Sequence, residues 1–135
     1  MSMQLCETDR AILQSYHSVV DGLAEFWGQG IEIVLHSLED YDKAAVKVVN
    51  GHYTGRKEGA PLTDLALSML RQIQHSGDNH KNLIYANKSK SGAPIRSATL
   101  PIVGKHGTII GLLCINFYLD IPLHLFFNEL FEVGS

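Results

Sequence analysis

The feature that most constrains the fold is a long apolar run near the C-terminal end of the sequence. Residues 108–118, TIIGLLCINFY, are rich in β-branched, aliphatic and aromatic side chains, which predicts the longest and most buried strand. Two more strands are predicted before it, at 82–88 and 95–103, with glycine-containing turns between the three. Pro101 in the second of these indicates a sheet edge or a bulge, because proline cannot donate a ladder hydrogen bond.

The first half of the chain predicts a helix, a strand hairpin and a second helix. Apolar residues recur at steps of three and four over 7–27, as on one face of an amphipathic helix. Residues 31–38 and 44–49 read as strands, and the short polar turn between them favours antiparallel pairing. A second helix is predicted to begin near Pro61 and to end at Gly77.

The element order is helix, two strands, helix, three strands and an apolar helical tail at 121–133, without a βαβ rhythm. This order predicts an α+β fold, with a five-stranded, mostly antiparallel sheet, helices on one face and an N-terminal helix. The 135 residues suit a single domain whose core spans about 28–119, and they contain no repeat or linker.

Composition argues against several classes of function. The net charge is −3 and the basic residues are dispersed, so this segment has no basic block for gripping nucleic acid. No apolar run approaches the ~20 residues that a membrane-spanning helix needs. Cys6 and Cys114 lie far apart and no signal peptide precedes them, which predicts a cytoplasmic protein without disulfides or membrane association.

The sequence also lacks the common catalytic and cofactor motifs. The glycine-rich stretch 50–65, NGHYTGRKEGAPLTDL, does not have the GxxxxGK[ST] spacing of a phosphate-binding loop. The seven histidines are scattered without metal-ligand spacing, so no metal or other cofactor is predicted. Cys114 is interpreted as a small buried hydrophobic residue. We expect no enzymatic activity; the alternative is a small enzyme that uses His36 or His52 as a base.

Polar side chains interrupt the apolar strands and the stretch between the second strand and the second helix. A buried polar group costs roughly 1–3 kcal/mol unless it is paired, so several of them together could line a ligand cavity. They could equally pair with one another or face water, and Ser97 and Thr99 could be solvated on a one-sided sheet. The candidate ligand contacts are His36, Asn50, His52, Thr54, Arg56, Thr63, Asp64, Arg96 and Asn116.

Several local sequences resemble the YheO-like PAS domain of bacterial transcriptional regulators. The resemblance covers roughly residues 10–120 and rests mainly on NGHYTGRKEGAPLTD at 50–64 and LCIN at 113–116. Supporting matches are GIEIVLH at 30–36 and KSKSG at 88–92, with Arg96-Ser97 after it. The resemblance implies a PAS fold and a sensory role, with DNA bound only by a helix-turn-helix domain beyond Ser135, where this chain stops. It implies no catalytic residues and no particular ligand.

The leading hypothesis is therefore a sensor with a small polar ligand between the sheet and the second helix. Arg56 or Arg96 would pair with an anionic group and Asp64 with a cationic one, which suits an amino acid or a similar zwitterion. The alternative is that Arg56 and Asp64 pair with each other and fix the loop to the helix.

The two ends of the chain predict a homodimer. The N-terminal stripe of Leu13, Tyr16, Val20, Leu23 and Trp27 and the tail at 121–133 are too apolar to remain exposed on a monomer. A competing hypothesis is a purely structural dimerisation module with a filled core and no ligand.

Overall fold

The structure, a computed structural model, describes residues 3–121 and 123–131. Each predicted helix and strand is present, and Pro122 and the last two residues of the predicted tail lie outside the described residues. The elements are α1 (Glu7–Trp27), β1 (Ile31–Ser37), β2 (Ala45–Val49), α2 (Asp64–His75), β3 (Leu83–Lys88), β4 (Pro94–Val103), β5 (Ile109–Tyr118) and α3 (Leu123–Phe131), with short 3₁₀ turns at Tyr41–Lys43 and Gly51–Tyr53.

The five strands form one sheet in the order β2-β1-β5-β4-β3, and every neighbouring pair is antiparallel. The apolar strand β5 is central and pairs along its length with β1 and β4. Pro101 lies beyond Thr99, the last β4 residue that pairs with β3, and a register irregularity follows between Ile102 and Val103. The predicted α+β class with a five-stranded antiparallel sheet is thus confirmed.

Helix α1 covers one face of the sheet. Its buried side chains Leu13 and Val20 pack in one cluster with Ile33 of β1 and Leu113 of β5. Gly111 allows this approach: a Cβ there would lie 2.6 Å from Leu13 Cδ2. The apolar spacing of the N-terminal segment therefore reflects packing on the sheet, and we refer to this side as the α1 face.

Helix α2 lies on the opposite side, which we call the cavity face. Ala66, Leu70 and Ile73 pack against Leu38 and Leu112. The sequence predicted helices on one face of the sheet and a separate N-terminal helix. In the structure, α2 lies on the cavity face and the N-terminal helix α1 covers the opposite face. Both sides of the sheet are thus shielded, so polar strand residues that the sequence could leave solvated are buried on the cavity face.

The start of α2 is fixed by its capping residue. Thr63 is the N-cap, and its Oγ1 accepts a hydrogen bond from the Ala66 backbone N–H at 3.1 Å. The helix therefore begins at Asp64, slightly later than predicted from Pro61. None of the helices in the described part of the chain has the length and apolar character needed to cross a membrane.

Candidate functional site

A cavity of about 430 Å³ lies on the cavity face of the sheet. Its walls come from β1, β3, β4 and β5, from the first turn of α2, and from the segments around residues 53–56 and 88–91. Charged and amide groups from several elements meet there: Glu32, Arg56, Asn87, Lys88, Lys90 and Asn116. Aromatic surface is added by Tyr53, Tyr85 and Tyr118.

A chain of hydrogen bonds across three strands ends at Glu32. The Ser97 hydroxyl donates to Asn116 Oδ1 at 2.8 Å, and Asn116 Nδ2 donates to Glu32 Oε1 at 3.0 Å. The antiparallel register places Asn116 opposite both Ser97 and Glu32, which brings the three side chains together. Thr54 Oγ1 donates to the other oxygen, Glu32 Oε2. We call these four residues the Glu32 network.

Glu32 is buried and forms no ion pair with a basic side chain among the residues that the structure describes. Its residue is 1% exposed, and its two oxygens accept only from the neutral Thr54 and Asn116 side chains. The ion pairs that join described residues, Arg10–Glu39 and Lys47–Asp21, lie elsewhere. Because a carboxylate offers about four acceptor positions, Glu32 retains capacity for further donors.

Arg56 supplies a positive charge to the same cavity. Within the described residues its guanidinium forms no hydrogen bond or ion pair. Its backbone is held by the 50–56 loop: Arg56 N–H donates to the Gly51 carbonyl at 3.1 Å, and a Cβ at Gly51 would lie 2.2 Å from Arg56 O. Glycine is therefore required at this close approach, which explains part of the glycine-rich sequence.

The charges of Glu32 and Arg56 both affect the pKa of Tyr118. Burial, together with the negative charge of Glu32, raises the pKa of Tyr118 to about 12, and the positive charge of Arg56 partly opposes the shift. The Tyr118 ring also stacks on Tyr53, with ring centroids 4.4 Å apart and an interplanar angle of 16°. The Tyr53 hydroxyl accepts from the Gly30 N–H at 2.9 Å, which connects the cavity wall to the α1–β1 connection.

A second polar group lies beside the cavity on β3, β4 and β5. Tyr85 OH and the fully buried Thr99 Oγ1 are 3.0 Å apart, and Thr99 Oγ1 lies 3.9 Å from Cys114 Sγ. Burial raises the pKa of the Cys114 thiol to about 11, so it remains protonated near neutral pH. A protonated thiol is a weak nucleophile, and Cys114 contributes wall surface here. Cys6 and Cys114 are both free cysteines in this structure.

His36 lies on the same side of β1 as Glu32 but behind the cavity. Its residue is fully buried, and neither ring nitrogen has a hydrogen-bond partner. Burial, and then the positive charge of Arg56, lower the pKa of His36 to about 4. The Leu112 backbone raises the pKa and so partly opposes this shift, although it forms no hydrogen bond with either ring nitrogen. His36 is therefore a neutral core residue at physiological pH.

The structure divides the residues that the sequence nominated. Four of them line the cavity: Thr54, Arg56, Thr63 and Asn116. His36 lies in the core behind it. Arg96 lies on the α1 face beside Ile84 and Phe117, because side chains alternate along β4.

The other three nominated residues have local roles. Asn50 adopts a left-handed conformation and its Nδ2 donates to the Ile31 carbonyl at 2.9 Å. His52 is exposed and packs against Tyr53, with ring centroids 4.3 Å apart. Asp64 lines a separate surface depression with Arg71 and His75. It forms no ion pair with Arg56, so the predicted alternative of an Arg56–Asp64 pair is wrong.

Most residues of the cavity wall were not among those nominated from the sequence. Glu32 lies within the predicted strand at 31–38, but the alternation of side chains along a strand does not reveal which face is buried. Lys88 and Lys90, at the end of β3 and in the turn after it, line the cavity together with residues of β1 and β5, which are distant in sequence. No group of three or more histidine, cysteine or acidic side chains in the described residues could hold a metal ion.

The sequence was also compared with known proteins. It matches the YheO-like PAS domain family over residues 7–132. It is 47% identical over 116 residues to the YheO protein of Escherichia coli strain K12, covering 86% of this chain and 48% of that protein. It is 43% identical over 120 residues to a Haemophilus influenzae protein, covering 89% of this chain and 53% of that one. The chain thus spans about half the length of the curated relatives it matches.

Solved structures share its fold. A Rhodobacter sphaeroides light-oxygen-voltage (LOV) protein superposes with a TM-score of 0.50 at 14% sequence identity, covering 94% of this chain and 86% of that one. At this identity the likeness concerns the fold alone. The antiparallel sheet and the match over residues 7–132 agree with the family resemblance that the sequence shows. The chain belongs to the YheO-like PAS domain family.

Proposed function

We propose that this PAS domain is the ligand-sensing and dimerisation domain of a bacterial transcriptional regulator. The observation that carries the proposal is the cavity of about 430 Å³, in which buried polar groups face open space. Ligand sites are typically preformed concavities of this size, with mainly apolar walls and a few oriented polar groups. The ligand is a small polar molecule, and the protein acts in the cytoplasm.

The chemistry of the cavity favours binding over catalysis. Burial raises the pKa of the candidate nucleophile Cys114 to about 11, and its hydrogen-bond partner among the described residues is the Thr99 hydroxyl, which is not a base. His36 lies behind the cavity, and His52 is on the exposed side of Tyr53. The group of side chains therefore orients a ligand and does not supply a reaction sequence.

DNA would be bound by a separate helix-turn-helix domain. This chain spans about half of its curated relatives, which leaves room in the whole protein for such a domain. Ligand binding would favour one arrangement of the sensor domains, and the attached domain would respond to it.

Dimerisation would use the α1 face. Three apolar side chains at helical spacing on α1 are exposed, Val19 at 49%, Leu23 at 38% and Phe26 at 71%, and Ile84 of β3 is 53% exposed on the same face. We call these four residues the apolar patch. A depression of about 310 Å³ next to it is lined mainly by apolar residues. Leu13 and Val20 of the predicted stripe are already buried on the sheet.

The helix α3 offers a second apolar surface. Leu125, Phe127 and Phe131 are 45%, 42% and 75% exposed. These side chains and the apolar patch are large apolar groups in contact with water, and a second copy of this chain would cover one or both surfaces.

Ligand sensing is tested by a thermal-shift and calorimetric screen of small polar metabolites. A ligand at one hundred times its dissociation constant should stabilise the native state by about 2.7 kcal/mol. The cavity-blocking variant Leu65→Trp should lose this effect, because Leu65 lies at the cavity wall and is partly exposed. Ser68→Trp, one turn further along α2 and outside the cavity, is the matched control and should retain it. Binding that survives Leu65→Trp unchanged would place the ligand elsewhere.

Dimerisation is tested by sedimentation at tens of micromolar protein. Phe26→Glu should shift the protein towards monomer, whereas Leu65→Glu, an apolar-to-acidic change on the cavity face, should not. A wild-type monomer at this concentration would contradict the dimer.

A further inference from the structure

We propose that the ligand is zwitterionic, an α-amino acid or a related molecule, with its cationic group at Glu32 and its anionic group at Arg56. This inference rests on the proposed function, because it assigns the chemistry of whatever occupies the cavity of about 430 Å³. It assigns the acidic role to Glu32, a residue that the sequence patterns did not single out.

The first argument is the state of Glu32. It is 1% exposed, accepts from two neutral donors and is not paired with any basic side chain of the described residues. A buried carboxylate without a counter-charge is strongly disfavoured, so such residues usually have a charged partner. An ammonium group has three donors and would match the remaining acceptor capacity of a carboxylate that lines the cavity.

The Glu32 network also fixes the direction of these acceptor positions. Ser97 donates to Asn116 Oδ1, which leaves the Asn116 amino group to donate to Glu32. The carboxylate is thus oriented before any ligand arrives. Preorganised acceptors lose little freedom on binding, which favours a small ligand with few contacts.

The second argument is the free guanidinium of Arg56. It lines the cavity and forms no ion pair within the described residues. Its planar fork of donors matches a carboxylate in a bidentate geometry. Arg56 and Glu32 both line this cavity, so one ligand can contact both charged groups.

The charged residues that line the cavity differ in their exposure to solvent. Lys88, the last residue of β3, and Lys90, in the β3–β4 turn, are exposed residues of the cavity lining, while Glu32 is buried. The exposed part of the lining therefore carries positive charge and the buried part carries the acidic side chain. A monoanion would leave Glu32 uncompensated and a monocation would leave Arg56 uncompensated, so a molecule with both charges fits best.

The test is titration calorimetry on this chain with matched small molecules. The probes are the L-amino acids, together with β-alanine and γ-aminobutyrate, which vary the separation of the two charges. For each amino acid that binds, the α-hydroxy acid replaces the ammonium by a hydroxyl, and the primary amide removes the carboxylate charge. We expect both analogues to bind at least tenfold more weakly than the parent.

Variants of Glu32 and Arg56 test which residue binds the cationic group of the ligand and which binds the anionic group. Glu32→Gln should weaken the zwitterion at least tenfold but change the α-hydroxy acid much less, and Arg56→Gln should weaken both. Arg96→Gln removes the same charge on the α1 face and should change affinity less than twofold. Arg56 is a partly exposed loop residue, so its variant keeps the test valid if Glu32→Gln fails to fold.

The outcomes separate the two proposals. If α-hydroxy acids, other monoanions or neutral molecules bind best and Glu32→Gln has no effect on them, the zwitterion assignment is overturned while ligand sensing stands. If no probe of any charge class binds, both are overturned.

Discussion

Neighbouring residues of β1 belong to two different environments. Ile33 points to the α1 face, where it packs in an apolar cluster with Val20 and Leu113 and is fully buried. Glu32 points to the cavity face, where it is equally buried but ends a chain of hydrogen bonds beside open space. The alternation of side chains along a strand thus separates a packed core from a polar site. Stability and binding can therefore be changed by substitutions one residue apart.

The largest expected effect is on the α1 face. Ile33→Ala should lower the free energy of unfolding by about 4 kcal/mol, because it removes buried methyl groups and leaves a cavity. The measurement is urea unfolding followed by circular dichroism. Leu119→Ala, at a residue 51% exposed and outside the apolar patch, is the control and should change stability by less than about 0.5 kcal/mol. Equal losses for the two variants would contradict the description of a packed α1 face.

The next effect concerns pH and His36 on the opposite face. Its pKa is lowered to about 4 in the folded protein from an ordinary value of 6.5, chiefly by burial. As the pH falls from about 6.5 towards 4, the unfolded chain binds a proton that the folded protein does not. Stability should therefore decline across this window, by roughly 3 kcal/mol in total.

The matched variant for this pH effect is His36→Leu, which removes the titrating ring from the core. Between pH 6.5 and 4.5, the free energy of unfolding of this variant should fall much less than that of the wild type. Below that range, Asp9 and Glu39 add their own losses, because backbone and side-chain hydrogen bonds respectively lower the pKa of these carboxyls. A variant with the same slope as the wild type would show that another group titrates.

A smaller effect is expected within the Glu32 network. Asn116→Ala should cost about 2 kcal/mol, because Ser97 loses its acceptor and Glu32 loses a donor while both remain buried. Asn87→Ala, also in the cavity wall, removes only a bond to its own neighbour Lys88 and should cost well under 1 kcal/mol. Chemical denaturation of the two variants side by side measures the difference. Similar costs would mean that the network adds no stability of its own.

The smallest effect should come from the α2 cap. Thr63→Ala removes the oxygen that accepts from Ala66 N–H and should cost about 1 kcal/mol, whereas Thr63→Ser should restore most of it. Thermal unfolding of the three proteins provides the measurement. A serine variant as unstable as the alanine variant would show that the Thr63 methyl group, and not the cap, matters.

Much of the fold was predictable because its signals are local. Alternation and turn residues predicted all five strands, and apolar periodicity predicted α1 and α2 within a few residues. The sequence could not show which faces are covered. Ser97 and Thr99 were correctly placed together on one side of β4, but only the packing of α2 shows that they are 1% and 0% exposed.

The site was predictable only in part. Asn116 and Arg56 were nominated as polar residues in unusual places, and the structure brings both to the cavity. Arg96 was nominated on the same grounds but lies on the other face. Glu32, Tyr85 and Lys90 come together from three separate elements. Their meeting depends on sheet order, which no local pattern contains.

Tyr53 gives the cavity a mechanical connection to the ends of the domain. Its hydroxyl accepts from the Gly30 N–H, and Gly30 O accepts from the backbone N–H of Tyr118, on whose ring Tyr53 stacks. The chain enters the sheet from α1 at Gly30 and leaves β5 for α3 at Tyr118. One aromatic ring in the cavity wall thus contacts the points of entry and exit together. A ligand that displaces this ring would therefore disturb both connections to the terminal helices.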